Sequence, residues 1–136
     1  MPVRSCLVAI ALLALAGCFP AKNNALLLDD TLANYASAIR WGNIEDALSF
    51  GDPEVLKAHP VTKLELERFH QVQITTYNDQ PPVRINDLEV RQVVDIGLVN
   101  TNTQAARSII DKQVWRLDEK ANRWRLMSGL PDITAH

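Results

Sequence analysis

The chain has 136 residues, of which 47% are apolar and 22% charged, with a formal net charge of -2. That length suits one domain, the apolar share excludes a disordered chain, and the near-neutral balance excludes a basic field for nucleic acid. The two cysteines, Cys6 and Cys18, form no CxxC pair, and no His/Cys cluster stands at metal-ligand spacing. Neither a metal nor a cofactor is therefore assigned.

In chain order, Arg4 and the amino terminus precede an apolar run, Cys6–Leu15 (CLVAIALLAL). A helix of that length rises roughly 15 Å, about half a bilayer core, which is too short to span and fits the apolar region of a secretory signal. No later stretch approaches the length of a membrane-crossing segment, so none is expected in the rest of the chain. Two cleavage readings follow. Ala14-Leu15-Ala16 satisfies the small-x-small rule of an ordinary signal peptidase, which would release a chain with a free Cys18. Alternatively, Leu15-Ala16-Gly17-Cys18 resembles the lipobox of bacterial lipoproteins. That resemblance implies cleavage between Gly17 and Cys18, a diacylglycerol on the cysteine sulfur and an acylated new amine. Several acyl chains hold a protein at a membrane where one is marginal. Phe19 follows the cysteine in place of an aspartate, which by resemblance to enterobacterial sorting implies the outer membrane, facing the periplasm. Residues 1–17 are thus expected to be a signal peptide, and 18–25 the lipidated cysteine with a short tether. Phe19 to Asn24 extends at most roughly 20 Å, so the domain would sit close to the membrane.

The mature chain opens on a helix from about Leu26 to Trp41. Leu28, Leu32, Tyr35 and Ile39 fall on one face of a 3.6-residue repeat, with Asn24 as the expected N-cap and Gly42 as the stop. Asn43 is placed to cap a short helix over Ile44–Phe50, and Asp52 with Pro53 starts another turn. Thr62 and Glu65 have capping-box spacing, although Leu64, Leu66 and Phe69 fit a helix only loosely. From about Arg68, "FHQVQITTY" is β-like, with His70, Val72, Ile74 and Thr76 on one face and Phe69, Gln71, Gln73, Thr75 and Tyr77 on the other. After the break at "NDQPP", "INDLEVRQVVDIGLV" alternates Leu88, Val90, Val94, Ile96 and Leu98 with Glu89, Arg91, Val93 and Asp95. Gln92 interrupts the apolar face and Gly97 suggests a bulge. "NTNTQ" is a turn, "AARSIIDKQVWRL" a strand, and "DEKAN" a hairpin loop into "RWRLMSG", which places Trp115 and Trp124 face to face across the hairpin. Helices followed by a meander of about four strands read as an α+β domain, with helices packed on one face of an antiparallel sheet.

The helix "YASAIRWGNIEDALSF", together with the late hairpin carrying Trp115-Arg116-Leu117 and Trp124-Arg125-Leu126, resembles the NTF2-like superfamily, the cystatin-like α+β roll that includes SnoaL-type proteins. The likeness covers roughly residues 26–131, with 132–136 left as a tail. It implies a long helix in the mouth of a curved sheet. It implies little about function, because the superfamily holds dehydratases, isomerases, assembly subunits and binding domains. Its catalytic sites place an Asp/His pair, or a Tyr with an Asp, inside the cone. No such pair aligns here, so no catalytic residue is assigned.

The remaining candidates each have a structural reading. His70 reads as a polar strand residue near a sheet edge, with an acid or base role as its alternative if it lines a cavity. Asp95 alternates with Glu89 and Arg91 on the solvated face, and Asp111 reads as a cross-strand partner for an Arg. Either carboxylate would gain interest as a base if it pointed into a cavity. Tyr35, Trp41, Trp115 and Trp124 have two readings: core and hairpin packing, or the lining of a pocket for an apolar ligand. Ser37, Ser49, Ser108 and Ser128 lack a G-x-S-x-G context. The leading expectation is a membrane-tethered binding or assembly module whose partner is an envelope protein or a small apolar ligand, not a nucleic acid. The alternative is a SnoaL-like enzyme, of isomerase or dehydratase type, on a small hydrophobic substrate. Sheet-to-sheet homodimerisation is a further expectation, weakened if Arg91, Lys112 and Arg116 cover the outer face.

Overall fold

The computed structural model describes residues 24–135. The apolar run, Gly17, Cys18 and the tether as far as residue 23 lie outside the described residues, while Asn24 and Ala25, read from sequence as the end of the tether, belong to the first helix. Among the described residues no helix is long and apolar enough to cross a membrane.

Helix α1 spans Asn24–Trp41 and buries Leu28, Leu32, Tyr35 and Ile39, the face its repeat predicts. It starts earlier than Leu26, with Asn24 as its first described residue. Gly42 ends it by donating its N–H to the Ala38 carbonyl at 3.1 Å. A Cβ at Gly42 would lie 3.1 Å from the Ala38 backbone, which favours glycine at this close approach. Helix α2 is Ile44–Leu48, shorter than expected; Asn43 is extended at its start but makes no side-chain cap bond. In α3, Pro53–Ala58, the Asp52 carboxylate accepts from the N–H groups of Glu54 and Val55 at 2.9 and 3.2 Å. Helix α4 is Lys63–His70, and its capping box is complete: Glu65 N–H donates to the Thr62 hydroxyl, and Thr62 N–H donates to the Glu65 carboxylate. That cap prevails over the loose apolar pattern and carries the helix through His70. His70 therefore does not start a strand. It closes α4, exposed, 3.5 Å from Glu45.

Strand β1 is Val72–Asp79, β2 Val83–Asn86, β3 Glu89–Asn100, β4 Ala106–Asp118 and β5 Arg123–Leu126. They form one curved antiparallel sheet in the order β1-β3-β4-β5, with β2 also on β3. The sheet thus has five strands, because Val83–Asn86 forms a strand of its own before a turn in which Asn86 accepts from Leu88 N–H. A register shift between Ile74 and Thr76 breaks strict alternation in β1. Ile74 pairs with Leu98 and Tyr77 with Ile96, so both face inward. Opposite the shift, Gly97 N–H donates to the Thr76 hydroxyl at 3.0 Å, and a Cβ at Gly97 would collide with that hydroxyl.

Trp115 pairs with Leu126 and Leu117 with Trp124. The two tryptophans share a face but are offset, and do not oppose each other. The inner face of β3 and β4 holds two apolar clusters. One gathers Tyr35, Trp115, Trp124 and Leu126 under α1. The other gathers Val94, Ile96, Leu98 and Ile109 under Ile133, which lies in residues read from sequence as a tail. That strap is held by Asp132, which accepts from Thr134, and by Arg107, which donates to the Ala135 carbonyl at 2.9 Å.

Candidate functional site

Buried polar residues on the inner face of the sheet draw attention first. The β3–β4 register puts Gln92 opposite Gln113 and Val94 opposite Asp111. The Gln113 amide donates to Asp111 Oδ2 at 2.9 Å and to the Tyr77 hydroxyl at 3.0 Å. Its carbonyl oxygen accepts from the Trp115 indole N–H at 3.0 Å. Gln92 donates to the Gln80 carbonyl. The Tyr35 hydroxyl is buried and has no hydrogen-bond partner among the described residues.

These groups perturb one another. Burial raises the Asp111 pKa above the usual carboxylate range, and the Gln113 hydrogen bond offsets only part of that. Burial pushes Tyr77 up to about 12, with the Gln113 bond opposing and the Asp111 charge adding to the rise. Tyr35 is raised well above its ordinary value by burial, then by the Asp111 charge and by Tyr77. A carboxyl group of raised pKa beside phenols is chemistry that can bind a polar atom or exchange a proton.

Access is a separate matter. A hollow of about 290 Å³ lies between α4 and the strap, bordered by His59, Arg68, Phe69, Leu130 and Asp132. A second, of about 260 Å³, lies between the end of α1 and β1, bordered by Trp41, Asn43, His70 and Ile74. Neither is lined by Tyr35, Tyr77, Asp111 or Gln113. No group of His, Cys, Asp and Glu able to hold a metal occurs among the described residues.

The aromatic residues singled out by sequence separate into two places. Tyr35 and Trp115 meet edge to face at 5.2 Å, Phe50 contacts both, and Trp124 is buried in the same cluster. Trp41 is 74% exposed, with the Arg40 guanidinium 4.7 Å above its ring. Asp95 lies half-buried on the outer face opposite Ile110, and His59 is exposed beside the first hollow. Among the described residues Asp111 pairs with no Arg across the strands. It faces inward, and its hydrogen-bond donor is Gln113. Tyr77 and Gln113 escaped the sequence reading. The bulge hid the first, and for the second the only signal was an amide in phase with Asp111 and Trp115.

No family model and no curated protein sequence matches the chain. Among solved structures, it is similar to a ketosteroid isomerase-like protein from Erwinia carotovora atroseptica SCRI1043. The TM-score is 0.51 at 15% identity, over 77% of this chain and 92% of that one. The chain has the NTF2-like fold. Helices packed against a curved antiparallel sheet are what the sequence resemblance implied. At this identity the likeness extends to the fold alone, and no residue role transfers with it. What the NTF2-like domain does rests on its own interior.

Proposed function

We propose that this chain is an envelope lipoprotein, anchored through Cys18, whose NTF2-like domain is a binding or assembly module with no reaction of its own. The anchor rests on the Leu15-Ala16-Gly17-Cys18 motif, and the module reading is supported by the packed interior. Tyr35, Phe50, Trp115 and Trp124 occupy one half of the curved sheet, and Ile133 seals the other half. A substrate would need space beside Asp111, and neither hollow reaches it. Partners would then use the outside of the domain: the hollow beside α4, or the exposed Trp41 with Arg40 at the end of α1. Native mass spectrometry of the chain extracted from its own membranes tests this reading. Acyl mass on Cys18 with a co-purified envelope protein supports it. A chain beginning at Gly17 without lipid overturns the anchor.

A second reading is a SnoaL-like enzyme acting on a small hydrophobic carbonyl compound. It is favoured by one observation, the raised pKa of Asp111 among the hydroxyls of Tyr77 and Tyr35. Incubation with a panel of cyclic enones in D2O, followed by NMR, decides it. Deuterium uptake that is lost in Asp111→Asn establishes the enzyme; no uptake across the panel leaves the binding module.

A further inference from the structure

Strand β4 is longer than its neighbour β5. Their pairing covers Trp115–Asp118 only, and Val114 is satisfied beyond it by Met127 N–H and the Ser128 hydroxyl. Leu117 N–H donates to Leu88 in the β3 direction, so odd residues of β4 turn their backbone groups toward β3. Even residues turn theirs the other way. Ala106, Ser108, Ile110 and Lys112 thus direct N–H and C=O past the end of β5, and no partner for these groups is found among the described residues. This is a bare sheet edge, and it carries an apolar side chain, Ile110, at 57% exposure.

The side chains of this edge are complementary to their own reverse. The bare stretch is symmetric about Ile109. When it is laid antiparallel on a second copy, Ile109 meets Ile109, Ser108 meets Ile110 and Ala106 meets Lys112. On the inner face, Arg107 of each copy falls opposite Asp111 of the other. Asp111 has no cationic partner within the chain, and Arg107 forms no ion pair there, among the described residues. A register centred on Asp111 would oppose two buried carboxylates, and registers centred on Ser108 or Ile110 would set Arg107 or Asp111 against Ile109, which disfavours all three.

We infer that β4 is a docking edge for a second copy of this chain, joining two sheets antiparallel through residues 106–112 with paired Arg107 and Asp111 across the seam. Backbone hydrogen bonds supply affinity and the alternating side chains supply register. This interface differs from sheet-face packing, because the outer face interleaves Val93 and Ile110 with Arg91, Lys112 and Arg116.

The test is sedimentation of the full chain in density-matched detergent, alongside amide hydrogen exchange. The wild type should sediment as a dimer, with the Ser108, Ile110 and Lys112 amides protected. Ile110→Pro removes only an outward N–H, so the fold should survive by circular dichroism while dimer and protection are lost. Ser108→Pro should do the same and serves if the first variant fails to fold. Arg107→Asp should also dissociate the dimer, and Arg107→Lys should retain it. A monomeric wild type overturns the inference. So does a dimer in which these amides exchange freely, or one that persists in both proline variants.

Discussion

The two halves of the sheet's inner face are closed in different ways. Over Trp115 and Trp124 lies α1, a regular helix that contributes Leu28, Leu32, Tyr35 and Ile39 and adds edge-to-face aromatic contacts. Over Val94, Ile96, Leu98 and Ile109 lies the strap around Ile133, without regular structure and tied by few hydrogen bonds. The polar set of Asp111 and Gln113 separates them. The same apolar surface is therefore held by one long helix on one side, and on the other by an irregular strap that adds Ile133 and Ala135 beside Phe69 of α4. Local opening free energies follow such differences in buried contact.

The half under α1 should respond most strongly to truncation. Trp115→Ala should cost about 3–5 kcal/mol of stability, as removal of a buried large aromatic does, read as a lower urea midpoint with unchanged slope. Ile133→Ala should cost about 2 kcal/mol, with faster exchange at the strap and unchanged protection in α1. Equal acceleration in both places would show that the halves open together. Gly97→Ala should cost about 1 kcal/mol by crowding the Thr76 hydroxyl, and Thr76→Ala in the same chain should recover part of it.

Asp111, which lies between the two halves, makes stability depend on pH. Its pKa is raised in the folded chain, so folding favours its protonated form. Stability from this group is present below the ordinary carboxylate pKa. It declines as pH rises toward the raised value and stays reduced above it. In the undocked chain, read in the Ile110→Pro background, Asp111→Asn should therefore resist urea better than its parent at neutral pH, and the difference should shrink on acidification. Asp118, Asp132 and Glu65 are lowered by hydrogen bonds and shift stability the opposite way, but they remain in both proteins and cancel. The smallest effect should come from Trp41→Ala, within about 0.5 kcal/mol, because Trp41 is exposed.

Much of the fold was legible in the residues, and specific physics explains what was not. The face of α1, the caps of α3 and α4 and the alternation in β3 each follow from local rules that the structure obeys. His70 was misplaced because a cap outweighed a weak apolar pattern. Tyr77 was hidden because one register shift moves every later side chain to the other face. The offset of Trp115 and Trp124 depends on hairpin register, which composition does not specify. Asp111 was read as a cross-strand partner for an Arg because a strand carboxylate ordinarily needs a cation; its burial depends instead on Gln113 and Tyr77, which come from the same strand and from beyond the bulge.

The Gln113 amide has one further consequence. Its oxygen is engaged by the Trp115 indole and its nitrogen by Asp111, so it has a single orientation and wires a fluorophore to an ionisable group. When Asp111 loses its proton, the field along the amide changes and the indole donor responds. Trp115 emission therefore becomes an optical gauge of the charge inside the domain. In a Trp41→Phe, Trp124→Phe background, which leaves Trp115 as the remaining tryptophan, a titration followed by fluorescence would read the state of the buried acid without unfolding the chain.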